Sequence, residues 1–96
     1  MLARVTTWEG GTEDGLRAAT EEMRANVSQG PPPGVKGTGF TFLVNSAEGR
    51  ALMIGLFENE ADLRESEPAL KAMNPPEGLG SRTAIEVFDV GADMRM

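Results

Sequence analysis

The chain has 96 residues, with 9 Lys and Arg against 15 Asp and Glu and a formal net charge of -6. A single domain spanning residues 1–96 is expected, and the acidic balance lacks the basic footprint that phosphate backbones and anionic membrane surfaces require, so neither nucleic acid nor membrane is an expected partner. With 0 Cys and 0 His, the sequence has no disulfides, thiolate nucleophiles, imidazole bases, histidine-ligated haem or ordinary zinc sites.

No carboxylate spacing resembles a calcium loop, so neither a bound metal nor haem is expected. No apolar run approaches the roughly eighteen residues of a membrane span, and "MLARVTTWEG" enters a strand pattern at once, without the layout of a signal peptide. A cytoplasmic protein is the expectation.

In chain order, "LARVTTW", residues 2–8, alternates in period two and is rich in β-branched residues, which predicts a strand that "EGG" ends. From Thr12 to Val27, Leu16, Ala19, Met23 and Val27 recur at steps of three and four and predict a helix. Thr12 suits its N-cap, and Glu13 and Asp14 suit the positive end of its dipole. "SQGPPPGVKG", residues 28–37, can neither continue a helix nor join a central strand; it reads as a rigid connector rather than a polyproline ligand.

"GTGFTFLVN", residues 37–45, and "RALMIGLF", residues 50–57, are predicted strands joined by the turn "SAEG", with Gly49 placed for a left-handed residue. Asn59 and Asp62 open a second helix with Leu63, Leu70 and Met73 as its apolar stripe. Pro68 predicts a break near Ser66, with the proline in the first turn of a second piece, and "NPPEGLGS" ends it. "RTAIEVFDV", residues 82–90, is the last strand.

Strand, helix, strand, strand, helix, strand with right-handed crossovers predicts an α+β fold of ferredoxin-like βαββαβ type. Four antiparallel strands form one sheet with both helices on one face, the first and third strands central and the fourth beside the first. Alternation divides the sheet into two faces. With the helices over Val5, Leu43, Ile54, Ile85 and Val87, the other face carries Arg4, Trp8, Phe40, Phe42, Met53, Phe57, Glu86 and Phe88. That set holds every aromatic residue in the chain. So apolar a surface predicts a partner, and a second copy packed through the sheet face is the economical one. Glu86 would then be enclosed, and Arg4 on the neighbouring strand is its expected partner.

The element order, the opening "ARVTTWEG", the run "LMIGLFENEADLRESEPAL" and the length resemble the dimeric α/β barrel proteins, within them the group around the antibiotic biosynthesis monooxygenases. The resemblance covers nearly the whole chain. It implies a homodimer of face-to-face sheets, and an activity that oxidises an apolar aromatic compound with dioxygen and no cofactor. That family's pockets commonly supply Asn, Trp, Tyr, Arg and His; this chain has no Tyr and no His, and Trp8 and Asn45 match in type only.

Two functions follow from the residues and the resemblance together: a small monooxygenase-like enzyme, or a non-catalytic dimer that binds a small apolar ligand or another protein. The eight residues Arg4 to Phe88 named above are the candidate pocket. Trp8 could equally plug the interior, the Phe and Met residues could be core, and an Arg4–Glu86 pair could merely fix register.

Overall fold

The computed structural model describes residues 1–73, 75 and 78–94. Its elements are β1 (Leu2–Gly10), α1 (Glu13–Val27), β2 (Gly39–Asn45), β3 (Arg50–Phe57), α2 (Glu60–Ala72) and β4 (Gly80–Asp89). The four strands form one antiparallel sheet in the order β2-β3-β1-β4, the ferredoxin-like arrangement, with β1 and β3 central.

The caps form as their residues dictate. Thr12 accepts a hydrogen bond from Gly15 N at 3.0 Å, and Asn59 accepts one from Asp62 N at 2.8 Å. Gly49 sits at φ +69, and a Cβ there would lie 2.6 Å from Gly11 O. The β2–β3 turn therefore packs backbone against backbone on the β1–α1 turn, which only glycine permits.

Two elements differ from expectation. α2 runs unbroken with Pro68 inside it. The tertiary contacts of its middle hold it: Ser66, fully buried, donates to Asp62 O at 2.8 Å and accepts from Lys36 N at 2.8 Å, while Leu63 is buried beside it. These anchors offset the helix bond that proline cannot donate. Asn74, Pro76 and Glu77, part of the expected terminator, lie outside the described residues. In α1, Leu16 and Ala19 are buried, but Val27 remains exposed, outside the buried cluster.

Residues directly opposite in an antiparallel ladder share a face. The pairings place Phe40, Gly55, Arg4 and Val87 in one row and Phe42, Met53, Thr6 and Ile85 in the next. Trp8 and Ala51 of this same face pack with Leu16 and Ala19 of α1 and with Leu79, and Phe42 and Met53 lean on that cluster. This is the face under the helices, which reverses the expected assignment for β1, β2 and β3, while Ile85 and Val87 of β4 lie on the helix side as expected. Val5, Leu43 and Ile54 lie on the open face instead.

The two faces are about equally apolar, so alternation separates them without saying which one the helices cover. Size decides: Trp8, Phe42 and Phe57 fill the wide space between sheet and helices, and the shorter Val5, Leu43 and Ile54 are left outside, with Phe88 of β4 beside them.

Candidate functional site

β1 points three polar-tipped side chains toward the helices: Arg4, Thr6 and Trp8. Arg4 and Trp8 are each only 8% exposed. Arg4 Nε donates to Glu67 Oε1 of α2 at 2.6 Å, and Arg4 Nη1 donates to Thr6 Oγ1 at 3.1 Å. The expected pair of Arg4 with Glu86 is not formed. Val87 is the residue opposite Arg4, while Glu86 lies opposite Val5, on the other side of the sheet. A one-residue difference in register exchanges the faces of a whole strand.

Glu67 escaped sequence reasoning because "EADLRESE" reads as a solvated face. One signal was there: Leu63, Ser66, Glu67 and Leu70 fall at i, i+3, i+4 and i+7, which puts Glu67 on the buried stripe of α2.

Two donors in this layer have no acceptor among the described residues: Arg4 Nη2 and Trp8 Nε1, both buried. A buried donor without a partner carries a desolvation cost of about 1–3 kcal/mol, and more for a charged group. The layer also has an open side. Ile85 and Val87 of β4 face the same way as Thr6 and Arg4, yet they are 39% and 50% exposed. α2 leans instead over β3 and the connector that leads into β2, where Gly34 meets Ala69 and Lys36 N bonds to Ser66. An apolar shelf thus runs along β4 beside Arg4.

Of the eight expected pocket residues, the structure brings Arg4, Trp8, Phe40, Phe42, Met53 and Phe57 to the helix side. Phe57 is fully buried, and Phe40 stays 42% exposed at the β2 edge. Glu86 and Phe88 lie opposite Val5 and Ala3 on the open face. A single cavity within one chain therefore cannot be lined by all eight. Among the described residues there is no group of three or more carboxylate, His or Cys side chains placed to hold a metal ion, and no helix is long and apolar enough to cross a membrane.

The open face is the second feature of interest. Its rows are Gly39, Leu56, Ala3, Phe88; then Thr41, Ile54, Val5, Glu86; then Leu43, Leu52, Thr7, Ala84; then Asn45, Arg50, Glu9, Ser81. Leu43 is 47% exposed and Phe88 49%.

No protein-family model, curated protein or solved structure matches the chain. The class of the protein, a small ferredoxin-like α+β fold, thus stands on its own strand order and helix placement.

Proposed function

We propose that this protein binds a small, largely apolar compound bearing an oxygen acceptor, on the shelf of Ile85 and Val87 with its oxygen toward Arg4. The observation that supports this is the buried Arg4 Nη2, which lacks an acceptor among the described residues and lies beside an exposed apolar strip. Trp8 Nε1, four residues along β1 and so about 13 Å away, offers a second donor to a longer ligand. The site has donors and apolar walls, which suits a carbonyl or phenolic oxygen on a flat body.

Cofactor-independent oxygenation, the activity the resemblance implies, would use the same donors to hold the oxygen of an electron-rich aromatic anion. Binding without turnover is the other reading, and the lack of His and Tyr as proton acceptors favours it. The open face supports a second element of the reading: the protein works as a homodimer, two sheets packed through the rows of Leu43, Ile54, Val5 and Phe88.

Trp8 is the one tryptophan, so its fluorescence reports on this layer alone. Titration with an aromatic ketone or phenol is expected to saturate, and the hydrocarbon of the same skeleton to bind at least about tenfold more weakly. Val87→Glu, on the exposed shelf, is expected to abolish the response without unfolding the chain. Equal binding of both compounds, or none of either, would rule the site out. Oxygen uptake with the bound phenol separates turnover from binding.

A further inference from the structure

The homodimer reading above leaves the orientation of the two copies open, and the charges of the open face fix it. Its three apolar rows carry one ionisable group, Glu86, which makes no ion pair among the described residues. The fourth row carries Arg50, the sole cation on this face among the described residues, and Glu9. Arg50 Nε lies 3.6 Å from Glu9 Oε1, with the two side chains 55% and 49% exposed. Such a loose surface pair holds Arg50 weakly and leaves it able to change partner. A face-to-face partner would remove Glu86 from water, and a buried carboxylate requires a cation.

Within one chain the two groups cannot meet. They stand two strands and four residues apart, about 16 Å between backbones, and point the same way. Thr7 occupies the midpoint, one strand and one row from each. A two-fold axis lying between the sheets and passing over Thr7, perpendicular to the line from Arg50 to Glu86, exchanges the two positions. We infer that a second copy packs about such an axis, so that Arg50 of each copy pairs with Glu86 of the other.

Three features of the geometry agree. Thr7 lies in the third apolar row, and the axis running from it toward β2 passes among Leu52, Ile54 and Leu43, so the axis that joins the charges also stacks these aliphatic residues. The strands of the two sheets then cross at roughly 70°, close to the orthogonal class of sheet packing. Packed sheets stand about 10 Å apart, a gap that an arginine and a glutamate facing each other span. The pairs occur twice by symmetry and set register, the best attested use of an ion pair in an apolar interface.

Sedimentation of two variants, alone and mixed, tests this. Glu86→Arg puts two arginines at each contact of its own dimer, and Arg50→Glu puts two glutamates there. Each variant alone is expected to dimerise at least about tenfold more weakly than wild type, since like charges meet across the axis. An equimolar mixture restores opposite charges at both contacts and is expected to form heterodimers within about threefold of wild-type affinity.

Variants that dimerise like wild type, or a mixture that stays monomeric, would overturn the pairing while leaving a wild-type dimer in place. A wild type that is monomeric at micromolar concentration would remove the homodimer reading itself. Both side chains are exposed in the single chain, and circular dichroism confirms that the variants fold. Should either unfold, the Arg50→Gln, Glu86→Gln double variant decides. Its dimer should be insensitive between about 0.05 and 0.5 M salt where the wild type weakens, and identical salt dependence would overturn the pairing.

Discussion

At the scale of single residues, Arg4 organises the interior. Its guanidinium is taken out of water by the helices, and Glu67, 26% exposed, supplies the counter-charge. Removing Glu67 leaves the guanidinium uncompensated in a dry layer, and removing Arg4 leaves Glu67 with only Lys71, 3.9 Å away, and costs the packing of Arg4 itself. Glu67→Gln and Arg4→Met are each expected to lower stability by about 2–4 kcal/mol, with the double variant recovering much of the loss. Chemical denaturation of the four proteins checks it. Single losses below about 1 kcal/mol that simply add would place Arg4 in a wet environment.

Glu86→Gln, on the open face, is expected to change the stability of a single chain by less than about 0.5 kcal/mol. Lys36 shows the opposite, exposed case. Its hydrogen bond to Glu65, and then the charge of that carboxylate, raise the ammonium above its ordinary 10.5. What that contributes is present below the unfolded value and lost as pH climbs through the folded one, and solvent and salt keep it small.

At the scale of elements, α2 is the place where local preference and tertiary contact disagree. Proline inside a helix costs roughly 3 kcal/mol, yet the helix is continuous because Ser66, Glu67 and Leu63 tie its middle to the connector, to β1 and to the core. Pro68→Ala should restore a helix bond while making the unfolded chain more flexible, so a net gain of about 2 kcal/mol is expected from thermal or denaturant unfolding. A neutral or destabilising result would mean the bend at the proline is needed to bring Glu67 to Arg4.

The loops meet at one end of the sheet by close backbone approach. Gly78, at φ +94, lies where a Cβ would stand 2.7 Å from Gly15 Cα, which ties the α2–β4 connection to the first turn of α1. No other residue type fits that seam.

At the scale of the whole molecule, the sheet has one face packed under the helices and one left open. Substitutions on the two faces should therefore fail differently. Phe42→Asp puts a carboxylate into the layer packed by Met53 and Trp8, and the chain is expected to unfold or lose several kcal/mol. Leu43→Asp, one residue on, lies on the open face and is expected to leave a folded monomer. Light scattering with circular dichroism distinguishes the two. Leu43→Asp indistinguishable from wild type in size would show that the open face is not where copies meet.

The sequence by itself determined the element order, the bounds of five of the six elements to within a few residues, both helix N-caps and the left-handed Gly49, because periodicity, capping and turn chemistry are local. It also determined that both sides of the sheet are apolar and that Arg4, Trp8 and Glu86 are exceptional residues on it. Only the tertiary structure decided which side the helices cover, since Trp8 with Phe42 and Val5 with Ile54 alternate equally well and packing volume, a property of the assembled layers, chooses between them. Only it decided that Arg4 answers to Glu67, 63 residues away, and that Glu86 lies on the far side with no ion pair among the described residues, because strand register and the lean of α2 are fixed by contacts distant in the chain.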